Sequence, residues 1–278
     1  MNGRPDSAAG LPQLKRSDGF AYREALPVEE SGAPVLLLHG FPESSRMWEP
    51  LMTELASHGR RSLAPDLYCL GDSDDPGPAT FERNLEAVGA FHTECDLEEV
   101  ELIVHDWGGF VGLAWAVENP ELVASLVIAD AGFFSDGRWH GMAQALRGEQ
   151  GEEIIEQLDR DGFAALLRAD GAPFTDEQVD AYWQPFADGR GREATLEFYR
   201  SMDFSKLVPY EDGLAELDVP TLLLWGAEDK FAPLSGAKRF QREIPEAELV
   251  AIDDAGHFVF DEEAGRCCDA VIEHLGGG

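Results

Sequence analysis

The chain has 278 residues, with 54 aspartates and glutamates against 21 lysines and arginines and a formal net charge of −33 at pH 7. That length suits one large α/β domain with room for an inserted subdomain, and that charge excludes nucleic acids and anionic membrane surfaces as partners because both are themselves negative. Only four of the cations are lysines, Lys15, Lys206, Lys230 and Lys238, a composition that a saline cytoplasm and a GC-rich genome would each produce.

From the start of the chain, MNGRPDSAAGLPQLKRSDGF lacks the apolar stretch a secretion signal needs, and no later run is long enough to cross a bilayer. A cytoplasmic protein is therefore expected. The polar segment GFAYREAL (19–26) reads as an edge strand. PVLLLHG (34–40), RRSLAPD (60–66), ELIVHD (101–106), SLVIAD (125–130), PTLLLWG (220–226) and AELVAID (247–253) are short, nearly continuous apolar runs. Such runs mark strands covered on both faces by helices. Helices are predicted over 45–58, 81–94, 108–117, 233–243 and 261–275. The alternation specifies a doubly wound, mostly parallel α/β sheet. It is interrupted from about Arg138 to Leu217 by a charged helical stretch with scattered aromatics, where Thr175 reads as an N-cap ahead of an acidic first turn. The expected division is a core of 20–134 and 218–275, with a helical cap, 135–217, inserted over the strand ends. Cys69, Cys95, Cys267 and Cys268 have no metal-ligand spacing and read as reduced packing residues, so no metal or other cofactor is expected.

In ELIVHDWGGFVGLAW (101–115) a strand runs into His105-Asp106-Trp107-Gly108-Gly109 and then into a helix. That is the layout of a nucleophile elbow, with Gly108 in the place of the last glycine of G-x-S-x-G, Val104 in the place of the first, and Asp106 in the nucleophile's slot. LLLHGFPESSRMW puts His39-Gly40-Phe41-Pro42 after a buried strand, where such a fold takes one oxyanion-hole N–H, here from Phe41; Trp107 supplies the other. GAEDKFAP places Asp229 just past a strand, and DDAGHFVF places His257 in the loop after the last one. An isolated aspartate at such a turn is usually a helix N-cap, but nucleophile, acid and histidine occur here in order, each at the C-terminal end of a strand.

These motifs resemble the α/β-hydrolase superfamily, in its Asp-nucleophile branch of epoxide hydrolases and haloalkane dehalogenases, over about Val35 to Leu275. The resemblance implies that Asp106 attacks a saturated carbon to form an ester, which a water activated by His257 then hydrolyses while Asp229 orients the imidazole. Asp130 is the alternative acid, because some dehalogenases take theirs from the strand before the cap. EFYRSMDF resembles the segment carrying a ring-opening tyrosine of soluble epoxide hydrolases, which makes Tyr199 the donor to an epoxide oxygen. The second such tyrosine has no counterpart between Asp130 and Gly171, and His140 is the histidine available to replace it. A dehalogenase would hold its halide between Trp107 and a cap tryptophan, Trp139 or Trp183, because Phe41 stands where an asparagine would serve. The residues expected around the substrate or leaving group are thus His39, Trp107, Trp139, His140 and Trp183.

The expectation is an enzyme that opens a small apolar epoxide with water. Haloalkane dehalogenation by the same residues is the alternative, and a non-catalytic ligand-binding member of the fold is the remote one. Fluoroacetate dehalogenases place arginines after the nucleophile, where this chain has Phe110, Val111, Gly112 and Leu113, so a small anionic acid is a poor candidate substrate.

Overall fold

The computed structural model describes residues 10–17, 19–73, 77–169 and 172–276; the first nine residues, part of the stretch on which the missing secretion signal was judged, lie outside it. In chain order the core elements are β1 (Gln13–Arg16), β2 (Ala21–Ala25), β3 (Val35–Leu38), α1 (Glu49–Ser57), β4 (Ser62–Pro65), α2 (Phe81–Glu94), β5 (Val100–His105), α3 (Trp107–Glu118) and β6 (Val123–Ala129). Six helices follow: α4 (Gly141–Arg147), α5 (Gly151–Gln157), α6 (Arg160–Leu167), α7 (Asp176–Ala187), α8 (Arg190–Ser201) and α9 (Val208–Glu216). The core then resumes with β7 (Thr221–Gly226), α10 (Ser235–Glu243), β8 (Glu248–Ile252), α11 (Val259–Glu262) and α12 (Ala264–Gly276).

Among the described residues eight strands form one sheet in the order β1-β2-β4-β3-β5-β6-β7-β8. Pairing is parallel from β4 through β8 and antiparallel at β1-β2 and β2-β4. Side chains alternate across it with the period of two that a strand imposes. Leu36 and Leu38 of β3 and Leu223 and Trp225 of β7 face a core shared with α2, α3 and α10. Val35, Leu37, Leu222 and Leu224 face the opposite core, built with α1 and α12. Both faces being covered, β3 and β7 are buried along their whole length, as their unbroken apolar sequence requires.

One expectation is corrected. The 19–26 segment is not an edge strand: β2 lies inside the sheet, and the short, fully exposed Gln13–Arg16 pairs outside it. Its polar residues are accommodated by pairing, since Arg23 donates to Glu49 at 2.7 Å and Glu24 accepts from Arg61 at 2.9 Å. The sequence signal was hidden because a strand that buries charged side chains in ion pairs has an edge strand's composition.

The helices between β6 and β7 form the cap. Its last helix, α9, packs on α3 of the core, where the Tyr210 hydroxyl donates to Glu118 at 2.9 Å. Among the described residues no helix is long and apolar enough to cross a membrane.

Candidate active site

Asp106 joins β5 to α3 with φ 45° and ψ −113°. A non-glycine residue in that region costs about 1–3 kcal/mol, and its neighbours compel the conformation. Gly108 lets the first turn of α3 lie against the Leu38–His39 backbone so closely that a Cβ there would overlap the Leu38 carbonyl. A Cβ on Gly40 would collide with Asp106 itself. The carboxylate makes no capping bond to its own helix, so the N-cap role does not apply; Oδ2 instead accepts the Phe41 N–H at 2.9 Å. Trp107, the first residue of α3, is buried.

Facing Asp106 is His257, with Nε2 3.8 Å from Oδ1, and its Nδ1 is 2.9 Å from Asp229 Oδ2. The other oxygen of Asp229 accepts the N–H groups of Phe231 and Ala232 at 2.7 and 2.9 Å. Burial would raise the Asp229 pKa, but the imidazole and these donors outweigh it and hold the carboxyl below its ordinary value. Burial likewise pulls His257 down, and the carboxylates of Asp229 and Asp106 overcome it, bringing the imidazolium to about 9. Asp130 does not reach the histidine. Its Oδ1 accepts the Gly226 N–H at 3.0 Å, and burial, with the negative charge of Asp229, keeps it protonated far above the usual carboxylate range.

A polar layer beneath these residues was not anticipated. His105 Nε2 is 2.8 Å from the His257 carbonyl, and its Nδ1 is 3.1 Å from Glu43 Oε2. Burial lowers His105 to about 4, so it is a neutral imidazole whose N–H donates to that carbonyl. Burial also lifts Glu43 to about 7, even with a hydrogen bond from Asp261, whose own pKa burial and Glu43 drive well above normal. Asp261 accepts from Gln178 Nε2 at 2.8 Å, and the same glutamine closes the capping box with Thr175 at the start of α7. This chain of contacts ties the cap to the floor under the histidine. Glu43, in HGFPE, and His105, beside Asp106, were the available signals: both are ionisable residues flanking apolar strands.

Above the elbow lies a cavity of about 390 Å³ lined by Phe41, Asp106, Trp107, Trp139, His140, Tyr199 and His257, among others. Tyr199 is buried edge-on to two indoles, with ring centroids 4.9 Å from Trp107 and 5.2 Å from Trp139. Burial and the charge of Asp106 push its hydroxyl well above 10, opposed by a hydrogen bond with the Trp107 side chain. The Trp139 indole N–H is buried without a hydrogen-bond partner. His140 is the N-cap of α4; its Nδ1 accepts the Ala143 N–H at 3.4 Å, which leaves the ring proton on Nε2.

Two expected pocket residues stand elsewhere. His39 is wholly buried beneath the floor, with Nε2 accepting the Leu67 N–H at 2.9 Å and Nδ1 donating to the Gly40 carbonyl at 2.8 Å. Trp183 packs inside the cap, stacked on Phe186 at 5.9 Å and under Arg192 at 5.2 Å. In both cases packing of the local element uses up the side chain. Among the described residues no group of His, Cys, Asp and Glu has a metal-binding arrangement, and the four cysteines are free.

Comparison with known proteins bears on the family and the fold. The sequence profile of a family described as "alpha/beta hydrolase fold" matches residues 33–264. A haloalkane dehalogenase of Sphingobium indicum is 29% identical over 277 residues, covering 89% of this chain and 90% of its own. Epoxide hydrolase 3 of Siraitia grosvenorii is 26% identical, with 84% and 88% covered. The crystal structure of the haloalkane dehalogenase DatA from Agrobacterium tumefaciens superposes with a TM-score of 0.77 at 26% identity, over 95% of this chain and 96% of that one.

Proposed function

The chain belongs to the alpha/beta hydrolase fold family, in its branch of haloalkane dehalogenases and epoxide hydrolases, and from that premise we propose that it hydrolyses a carbon–halogen bond at a saturated carbon through an ester on Asp106. The observation that carries the mechanism is the pairing of a strained carboxylate, held by the Phe41 N–H, with a histidine 3.8 Å away that is itself anchored on Asp229. Oδ1, free of the backbone donor, attacks the carbon and the halide leaves with the bonding pair. The ester carbonyl then lies beside the Phe41 N–H, which stabilises the oxyanion formed when water adds. His257 takes the proton of that water, and collapse of the tetrahedral species returns the Asp106 carboxylate and an alcohol.

The leaving group decides between substrate classes. A halide needs donors but no proton. The indole N–H of Trp139, which has no partner, and a Tyr199 hydroxyl that accepts from the Trp107 indole and holds its own proton firmly fit that need. The haloalkane dehalogenase relative, matched at 29% identity over most of both chains, supports this ranking over the epoxide first expected from the sequence. The epoxide stands as the second reading on one observation: the Tyr199 hydroxyl and the His140 Nε2–H both line the cavity, where together they could protonate a ring oxygen.

The test is a paired panel of short bromoalkanes and styrene oxide-like epoxides, scored for bromide and diol. Bromide release in excess of diol is expected; diol without bromide would reverse the ranking.

A further inference from the structure

The cavity mouth carries a charge pattern that the chemistry at Asp106 does not use. In a chain with 54 acidic side chains against 21 basic ones, a cation has every opportunity to find a partner. Among the described residues, the side chains of Arg138, Lys238 and Arg242 nevertheless have none. Arg138 and Arg242 are exposed and line the active-site cavity, so they stand on its rim, and Lys238 is one turn before Arg242 on α10. Arg239, also on the rim, is held otherwise: its guanidinium lies over Phe134 at 4.7 Å, 3.5 Å from Asp136 and 3.0 Å from Glu243. Asp136 and Glu243 are thereby turned to Arg239 and leave the two other arginines open.

This arrangement has a cost. Lys238 and Arg242 are like charges four residues apart on one helix, and Arg239 and Arg242 are three apart, spacings that bring cations together and destabilise the helix. Below the rim the wall turns apolar, with Phe110, Phe133, Phe134, Trp139 and Phe204 lining the cavity. An elongated ligand lying from Asp106 to the mouth would therefore meet aromatic surface first and unpaired guanidinium groups last.

We propose, building on the displacement at Asp106, that Arg138 and Arg242 form a subsite for a carboxylate at the far end of the substrate. The substrates of this class are amphiphiles such as ω-haloalkanoates, apolar around the reacting carbon and anionic at the remote end. This differs from a small halo acid, whose carboxylate adjoins the reacting carbon and would need an arginine just after the nucleophile, where Phe110, Val111, Gly112 and Leu113 stand. The guanidinium fork matches a carboxylate in two parallel hydrogen bonds. The overall negative charge does not prevent this, because at physiological salt charges farther away than roughly 8 Å are largely screened.

The experiment compares ω-bromohexanoate with bromohexane and ω-bromooctanoate with bromooctane, with an epoxyoctanoate and epoxyoctane as the matching epoxide pair. Each is assayed on the wild type, on Arg138→Gln/Arg242→Gln, and on Arg138→Lys/Arg242→Lys. The glutamine variant is expected to raise KM for the carboxylates about tenfold, the product of two exposed ion pairs, with kcat unchanged and neutral substrates unaffected. The lysine variant should keep most of the wild-type preference, and molar KCl should erase it. An equal change for acids and neutral analogues, or none for either, would overturn the subsite. If no halide or epoxide is turned over, the displacement reading falls by itself, and the rim is then tested by calorimetry with octanoate against octanol. Octanoate binding equally tightly to wild type and glutamine variant would remove the subsite independently of any catalysis.

Discussion

On the proposed path His257 is asked to be two things in one cycle: a cation beside the Asp106 carboxylate before the attack, and a neutral base after it. In the free enzyme Asp229 and Asp106 together outweigh burial and bring the imidazolium to about 9. The proposed alkylation would turn Asp106 into a neutral ester, removing one of the raising charges, so the pKa of His257 would fall. Single-turnover rapid quench should therefore show ester formation nearly flat between pH 6 and 9. Ester hydrolysis should rise with pH and level off at a midpoint below that of the free enzyme; a midpoint above 9 would contradict this electrostatic account. With His257→Gln the first step survives and the second lacks its base. The variant should accumulate substrate mass on Asp106, read by intact-mass spectrometry, and a folded variant that never carries the adduct on a substrate the wild type consumes would argue against the covalent path.

At the scale of elements, the site is made by a strand and a helix that touch without side chains between them. Gly108 is the point of contact, and a methyl group there meets the Leu38 backbone, which has no rotamer with which to yield. Gly265 is the control: it lies near the start of α12, exposed, with nothing within 4 Å of an added Cβ. Gly108→Ala should destabilise by about 2 kcal/mol or more, whereas Gly265→Ala should stabilise by about 0.5 kcal/mol, as measured by urea unfolding. Opposite signs for the same substitution isolate the close approach from glycine's general flexibility, and equal effects would refute it. The same elements explain what was legible in the chain. The β3, β5, β6 and β7 runs announced themselves because both their faces are covered, and α2 was readable to its ends, 81–94, because Thr80 caps it. Asp106, Asp229 and His257, which the fold brings together, were readable because each lies just past the C-terminal end of a strand. The layer of Glu43, His105 and Asp261 was not, since a loop, the end of β5 and α11, far apart in sequence, supply its members and they meet only when the sheet is assembled. Trp183 and His39 misled because residue type says nothing of which neighbour engages a side chain first.

Across the whole molecule, charge sets the conditions under which these local arrangements persist. Glu43 and Glu101 are each pushed by burial to about 7, and Asp130 and Asp261 are raised as well. An acid with a raised pKa binds its proton more tightly in the fold than in the unfolded chain, so the advantage it gives is whole below about 4.5 and is lost as pH rises through the folded value. His257 acts in the same direction over a later window: its contribution is complete below 6.5 and gone above about 9. Asp229 and Glu24 have lowered values and oppose this trend only at acid pH, where protonation removes their ion pairs; His39, His105, His140 and His274, which burial keeps neutral, oppose it below about 6.5. Added to these is the mutual repulsion of a chain at −33, which relaxes on unfolding and is weakened by salt. Stability should therefore be greater at pH 5.5 than at pH 8.5. At pH 8.5, transfer from 0.05 to 2 M KCl should raise Tm by about 5 °C, equivalent to roughly 1–2 kcal/mol for a domain of this size. The two effects are separable by calorimetry, because salt screens the diffuse repulsion but leaves buried Glu43 and Glu101 to titrate. A Tm that climbs from pH 5.5 to 8.5, or that falls on adding KCl, would show that local pairing has already neutralised the charge that the composition leaves in excess.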